Sequence, residues 1–423
     1  MSTPLRVLIV TDAFPPVCGG SGWSTWELVG GLLGRGHHVD VVKIEAGDPT
    51  GVTTEVYEQV RVTVFRQKAP ALPVARNLVK NERTWARAAR FLDDRLSQSP
   101  VDIVHAQHVM STTPAIRAAA RTRTPVVATV RDYWPVCYWA DLTHDPTGSS
   151  LCPACTTANM RRCVLPRAGR ATIAAWSLIP YMRANLRTKR LTLAQASTII
   201  AVSSRIAHDL ESRTTAFAHT PIVTIPNAVN LTALDRVDRS AAPIEGPYGL
   251  YVGKLAPNKG AQWLPGIWAG AGLGWPLVVA GDGPLRPELE ADARRRGLDV
   301  RWLGWRDRAE VWAYMRHATL LAFPSYGPES LSRVLLEAAA LGVPIAAMNT
   351  GGTADIIHDG TTGLLSDSPD ALARDLARLG HDEILRGALG HAARNDVRAR
   401  FSTDSVVDRI EQVYRGLLPP RAA

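Results

Sequence analysis

The chain has 423 residues, too many for one hydrophobic core, so two or three domains are expected. Its 46% hydrophobic and 21% charged residues are those of a soluble globular protein. No apolar segment nears the ~20 residues of a membrane span, and the start, MSTPLRVLIVTD, is too short an apolar run for a secretory signal, which points to the cytoplasm.

Leu5–Val10 reads as the first strand, followed by the loop TDAFPPVCGGSGW, a helix from about Ser24 to Leu33 and a strand at Val39–Val42. A strand, a glycine-rich turn and a helix suit an anion, because glycines let backbone N–H groups approach a phosphate; simple tight-turn geometry is the alternative. Gly19, Gly20 and Gly22 do not form G-x-G-x-x-G, which speaks against a dinucleotide-dependent dehydrogenase. Further strands are predicted at Val60–Phe65, Ile103–His105, Val126–Val130 and Thr198–Val202, with Thr84–Ser97 the clearest helix between them. Alternation of this kind implies a parallel, doubly wound sheet that gathers ligands at the carboxyl ends of its strands. His105 and His108 fall just past one such end, where a structural role is favoured, and Arg131 and Asp132 just past another. Arg131 either binds an anionic acceptor or pairs with Asp132.

Cys137, Cys152, Cys155 and Cys163 lie within 27 residues, in a segment rich in Pro, Gly and Thr. Four thiolates so close can surround a structural zinc and hold together an insertion without its own core; disulfides or plain buried thiols are the rivals. Cys18 is left over. The net charge of +9 is concentrated: no Asp or Glu occurs from Pro146 to His208, while Arg161, Arg162, Arg167, Arg170, Arg183, Arg187, Lys189, Arg190 and Arg205 supply nine cations. Within this stretch, ATIAAWSLIPYMRANLRTKRL mixes Trp176, Leu178, Ile179, Tyr181 and Met182 with cations, although Pro180 interrupts it. A basic amphipathic helix here, spanning the region 161–190, would suit an anionic membrane surface and a lipid-linked acceptor; a helix packed over the sheet with a solvated basic face is the other reading. Nucleic acid is not expected, since the aromatics are not spaced as a stacking platform.

Pro221–Tyr248 loses periodicity and reads as a linker, after which Gly249–Val252 opens a second βαβ series with VGKLAPNKG at its strand end. Strand Leu277–Ala280 ends in GDGP, beginning at Gly281, and Val300–Gly304 forms another strand, with Leu303 and Gly304 at its end. Thr319–Phe323 is a buried strand, and a helix is predicted from near Glu329 to Leu341, stopped by Gly342. Between Val334 and Leu341 this helix is apolar on every face except at Glu337. A buried carboxylate costs several kcal/mol unless something pairs with it, and sugar or ribose hydroxyls would serve. A helix would set Glu329 and Glu337 within ~80° of one another around the axis and ~12 Å apart along it. The amides of Ser330, Leu331 and Ser332 would then offer a phosphate site. The plainer reading has Glu329 capping the helix and Glu337 paired with Arg333.

The Glu329-x7-Glu337 pair in a strand–helix unit resembles the signature of glycosyltransferase family 4, retaining enzymes of GT-B type that use nucleotide-sugar donors. PPVCGGSG resembles the family's PPxxGG loop, VGKLAPNKG its VGRL-x3-KG, and GGTADIIHDGTTGLL its strand and hairpin after the signature. The chain departs from the pattern at Ser332, commonly Gly, and at Arg131, commonly His before Asp132. The resemblance implies two doubly wound Rossmann-like α/β domains facing a central cleft. These are an acceptor domain over 1–225 with a Cys-rich insertion at about 132–195, a donor domain over 226–400, and a helix over 401–423 crossing back. It further implies that a UDP or GDP sugar meets Gly19, Gly20, Lys254, Lys259, Gly281, Leu303, Gly304, Glu329, Ser332, Arg333, Val334 and Glu337. Transfer with retention to a glycan or lipid-linked acceptor would depend on Glu329, Lys254, Lys259, Arg131 and Asp132, without a catalytic metal. An epimerase or phosphorylase on the same architecture, and a non-catalytic nucleotide-sugar-binding protein, are the alternatives.

Overall fold

A computed structural model describes residues 3–70, 79–145, 151–237 and 243–419. Residues 146–150 of the acid-free stretch and 238–242 of the expected linker lie outside the described residues. The first sheet contains β1 (Arg6–Thr11), β2 (His38–Ala46), β3 (Gly51–Tyr57), β4 (Val60–Gln67), β5 (Ile103–Ala106), β6 (Val126–Val130), β7 (Thr198–Ala201) and β8 (Ile222–Thr224). Their order is β3-β4-β2-β1-β5-β6-β7-β8, parallel throughout except for the β3–β4 hairpin. The chain runs outward from β1 in both directions, so the crevice at the carboxyl ends of β1 and β5 is a topological switch point.

The second sheet contains β9 (Gly249–Val252), β10 (Leu277–Ala280), β11 (Val300–Gly304), β12 (Leu320–Phe323), β13 (Ile345–Met348) and β14 (Leu364–Ser366). It is parallel throughout, in the order β11-β10-β9-β12-β13-β14, with its own switch point between β9 and β12. β10, β12 and β13 are short apolar runs buried at every position, because helices cover both faces. One apolar cluster joins the halves, from Val130, Tyr133 and Val202 to Leu331, Leu335 and Ile356.

The final helix, Thr403–Gly416, lies on the first sheet's domain, burying Val406, Val407, Ile410 and Tyr414 with Ile9 and Leu28. Arg35, which caps the carboxyl end of the first helix (Gly20–Gly34), reaches Asp408 at 2.5 Å and Glu411 at 3.3 Å. His105 sits within β5 rather than past its end, fully buried, bonded to the Tyr414 hydroxyl at 2.5 Å and to Thr129 at 2.7 Å. Burial, with nearby Arg131, holds its pKa well below the ordinary value, so it is a neutral structural bridge.

The basic stretch is not one helix. It forms Thr157–Ala168, Thr172–Trp176 and Ile179–Leu193, with Pro180 in the first turn of the last, where a missing N–H costs nothing. Ile179, Met182 and Leu186 pack against Met160 and Val164, while Leu165, Ile173 and Trp176 stay exposed among the arginines. Among the described residues no helix is long and apolar enough to cross a membrane.

Candidate active site

The helix carrying Glu337 begins at Arg333, not at Glu329. Ser332 is its N-cap, its Oγ accepting the Leu335 amide at 3.5 Å, and Gly342 ends it in the left-handed conformation. Glu329 is kept out of the helix from elsewhere in the chain. The Gly352 amide donates to the Glu329 carbonyl at 2.7 Å. A Cβ on Gly351, whose φ is +55°, would stand 1.9 Å from that same oxygen. The helical spacing expected for the two carboxylates therefore does not apply, and the first amides of the helix belong to Arg333 and Val334 rather than to Ser330, Leu331 and Ser332.

Glu337 is buried, as its apolar helix requires, and it is paired twice. Its Oε1 accepts from Arg333 at 3.1 Å and from Arg308 at 3.1 Å. Glu27, on the first helix of the other domain and with a fully buried side chain, accepts from the same two arginines at 2.8 Å and 2.5 Å. The Arg308 guanidinium is also covered by Trp23 at 4.8 Å and Trp312 at 4.4 Å. Two carboxylates and two guanidinia form a neutral cluster across the cleft. Burial alone would depress the Arg333 pKa, but Glu27 and Glu337 outweigh it and the net shift is upward. The Arg333–Glu337 contact of the plainer sequence reading is present, and it is one part of the four-charge cluster. Glu27 carried the same signal as Glu337, a carboxylate in an apolar helix (WELVGGLL), whereas nothing local distinguishes Arg308.

The glycine-rich loop closes on this cluster. The first helix starts at Gly20, four residues earlier than expected, so Gly20–Gly22 are its first turn. A Cβ on Gly20 would come within 3.0 Å of the Arg333 side chain, while one on Gly19 would meet nothing within 4 Å. Arg333 also donates to Ser24 Oγ and to the Ala228 carbonyl, both at 3.1 Å.

On the other side of Glu329, Lys259 forms an ion pair with its carboxylate, which also accepts from Ser325 Oγ at 2.6 Å. Lys254 is exposed beyond β9. The Gly281 amide donates to the Gly304 carbonyl at 2.8 Å, which puts the ends of β10 and β11, with Leu303, at the same edge of the sheet as Lys254 and Lys259. Tyr133 reaches across from the first domain to the Glu329 carbonyl at 3.5 Å.

The first domain's side of the cleft is built by the ends of β1, β5 and β6. Arg131 does not pair with Asp132. It donates to Asn227 Oδ1 and to the Gln107 carbonyl, each at 3.0 Å, while Asp132 turns back to accept the Trp134 amide of its own loop at 2.8 Å. Burial and the neighbouring Arg333 push the Arg131 pKa down to about 9, against the pull of Asp12, so it stays a cation at neutral pH. Burial raises the Asp132 pKa to about 6, opposed by the Trp134 amide and Lys189. His108 caps the helix Val109–Thr122, with Nδ1 3.0 Å from Thr11 Oγ1 and 3.4 Å from Asp12; burial and Arg131 keep it neutral. Its Nε2 and the Gln107 side-chain amide have no partner among the described residues.

All five cysteines are free thiols, so the disulfides weighed as a rival to zinc are not formed. Cys137, Cys152, Cys155 and Cys163 all border one small internal cavity. Cys18 lies beside Gly22, its pKa raised by burial to about 11 against the pull of Arg308, Arg333 and Lys43.

Two parallel α/β domains with a polar cleft between the carboxyl ends of their sheets define a GT-B-type fold, and solved structures match it over nearly the whole chain. HepE of Anabaena in complex with UDP gives a TM-score of 0.68 at 17% identity, covering 98% of this chain and all of its own. Sucrose-phosphate synthase from Thermosynechococcus elongatus gives 0.70 at 20% identity, covering 97% and 99%. The profile of Glycosyltransferase Family 4 matches residues 18–233 and that of Glycosyl transferases group 1 matches residues 237–396, so the chain belongs to glycosyltransferase family 4. Alpha-D-kanosaminyltransferase of Streptomyces kanamyceticus is 32% identical over 185 residues, which is 40% of this chain and 45% of that protein. D-inositol 3-phosphate glycosyltransferase of Acidothermus cellulolyticus is 33% identical over 207 residues, 43% and 44% respectively. The chain spans less than half the length of these two relatives in the matched part.

Proposed function

We propose that this protein transfers a sugar, with retention of anomeric configuration, from a nucleoside diphosphate sugar bound between the domains to an acceptor hydroxyl. The observation that carries the reading is the convergence on one cleft of the Lys259–Glu329 pair, Arg333 at a helix N-terminus, and the Gly20 backbone that closes on Arg333. Charge develops on the departing diphosphate, and fixed cations with helix amides are what such a transition state needs. Lys254, Lys259, Arg333 and the amides of Arg333 and Val334 take the diphosphate. Glu329 positions the sugar through its hydroxyls, and Leu303 and Gly304 border the base. Glu337, through Arg308 and Arg333, sets the position of the phosphate-binding cations and the ribose. The chain divides near 225 and again near 400, so that the donor half can hinge on the acceptor half.

The acceptor enters over Arg131, Asp132, Gln107 and His108, and the Gln107 side-chain amide and His108 Nε2 are the groups left to meet its hydroxyls. One relative is a D-inositol 3-phosphate glycosyltransferase, and an anionic acceptor of that kind would meet the Arg131 cation. The exposed Leu165, Ile173 and Trp176 among arginines would hold a lipid-linked acceptor's membrane surface close to this entrance.

A thermal-shift panel of UDP-, GDP-, ADP- and dTDP-sugars tests the reading. A donor at a hundred times its dissociation constant adds about 2.7 kcal/mol, a rise of several degrees. One donor should raise the melting temperature of the wild type and fail to raise that of Glu337→Ala. Turnover that requires an added acceptor alcohol separates transfer from epimerisation. A folded wild type that responds to none of the donors would overturn the proposal.

A further inference from the structure

The cysteine segment holds a geometry that the spacing of its cysteines did not show. Thr143 and Leu151 form an antiparallel bridge, and the Cys152 amide donates to the Leu142 carbonyl at 2.7 Å. This hairpin folds His144 back beside Cys152. Cys163 approaches from the buried face of the helix Thr157–Ala168, its Sγ 3.7 Å from His144 Nδ1. The ligand atoms of His144, Cys152 and Cys163 all lie within 4.8 Å of one another, the one such group of metal-ligating side chains among the described residues. Tetrahedral zinc, with Zn–S of ~2.3 Å and Zn–N of ~2.0 Å, needs ligand atoms about 3.5–3.8 Å apart, so the His144–Cys163 edge is already formed.

The surroundings are built to hold this cluster. Arg167 clamps the hairpin to the helix, donating to the His144 carbonyl at 2.8 Å, the Cys163 carbonyl at 2.9 Å and Asp141 at 2.5 Å. Arg213 does the same on the other side, to the carbonyls of Cys152 at 2.8 Å and Pro153 at 2.9 Å. The enclosed space of about 10 Å³, about one small sphere, is bordered by the thiol-bearing residues Cys137, Cys152, Cys155 and Cys163. Cys137 is buried, in the turn that follows Asp132, whereas Cys155 is half-buried and also borders a larger open groove beside Arg190.

We propose that this protein binds one structural zinc ion through His144, Cys152 and Cys163, with Cys137 completing the tetrahedron. The ion displaces the thiol protons and leaves three thiolates and one neutral imidazole as ligands, with no open coordination position for catalysis. Its role is to tie the segment that follows Asp132, whose Tyr133, Trp134, Val136 and Leu142 pack into the main core, to the helix Thr157–Ala168, whose Met160 and Val164 belong to a separate small cluster. The same segment carries Tyr133 to the Glu329 backbone, so the metal stiffens one wall of the cleft.

The test is metal analysis of the full chain purified from zinc-supplemented cells, together with the absorption spectrum of the cobalt-exchanged protein. About one zinc per chain is expected in the wild type, in Cys18→Ser and in Cys155→Ser, and less than a tenth of that in Cys152→Ser and Cys163→Ser. The thiolate-to-cobalt charge-transfer band of the wild type should have the intensity of three thiolates, a readout that needs no variant to fold. Chelation of the wild type should open residues 132–170 to limited proteolysis, and added zinc should close them again. A metal-free wild type would overturn the site. A four-thiolate band, or zinc lost from Cys155→Ser and kept by His144→Ala, would overturn the ligand set.

Discussion

Glu27→Ala tests the cleft cluster because its two effects have opposite signs. The Glu27 side chain is fully buried and accepts from Arg308 at 2.5 Å and Arg333 at 2.8 Å, so its removal leaves two largely buried guanidinia sharing Glu337 as their one carboxylate in the cluster. Removing one partner of a buried ion pair costs about 3–5 kcal/mol. For domains of this size that is a fall in melting temperature of roughly 6–20 °C. The same change turns a neutral cluster into one of net charge +1. At an effective dielectric constant of 20, a carboxylate roughly 8 Å from a phosphate opposes it by about 2 kcal/mol. The variant should therefore bind the nucleoside diphosphate about 30-fold more tightly while being less stable, and calorimetric titration beside a thermal melt reads both. Glu27→Gln, which keeps an acceptor oxygen, should lose less stability. An unchanged melting temperature would refute the energetic role of the cluster. A variant of normal stability with weakened donor binding would show that Glu27 touches the donor itself, and the assignment of Arg308 and Arg333 as the cations it restrains would fail.

Gly351→Ala places a Cβ against the Glu329 carbonyl in a left-handed conformation, so the Glu329 loop must shift by about an ångström, and kcat/KM should fall about 100-fold with little loss of the fold; a rate within twofold of wild type would show that this contact does not position Glu329. Tyr414→Phe leaves His105 Nδ1 unpaired in the core and should cost about 1–3 kcal/mol in urea denaturation, with the terminal helix the first segment to be cut by protease. Asp132 binds its proton more tightly folded than unfolded, because burial raises its folded pKa to about 6. Its contribution to stability is therefore greatest below about pH 4 and is lost as the pH rises to 6, and Asp132→Asn should flatten the stability profile across that window; an unaltered slope would show that Asp132 is solvated.

The strands were legible because most inner strands are short apolar runs, the pattern that burial on both faces imposes, and β6, β9 and β10 have the bounds read from the sequence, as does the edge strand β11. β3 was not. It lies at the sheet edge, is exposed along nearly its whole length, and turns into β4 through Glu58 and Gln59 in left-handed conformations without the glycine that marks most such hairpins. The start of the helix after Glu329 was misread for a different reason: what holds Glu329 out of the helix is Gly351 and Gly352, more than twenty residues later, and no local propensity records that contact.

The site divides along the same line. A carboxylate in an apolar helix announces that it is buried and must be paired, and this holds for Glu337 and equally for Glu27. The sequence does not say with what. For Glu337 the local spacing offers Arg333 or ligand hydroxyls, and the Arg333 contact is present, but the second partner, Arg308, lies on a different helix; Glu27 accepts from the same two arginines of the other domain. His144 was overlooked likewise, because only a hairpin bridge between Thr143 and Leu151 brings it to Cys152 and Cys163. The desolvation cost of a buried charge is fixed by its own helix, whereas the partner that offsets it is fixed by topology. Single residues at odds with their surroundings therefore mark where function lies, and the tertiary structure alone decides which of them meet.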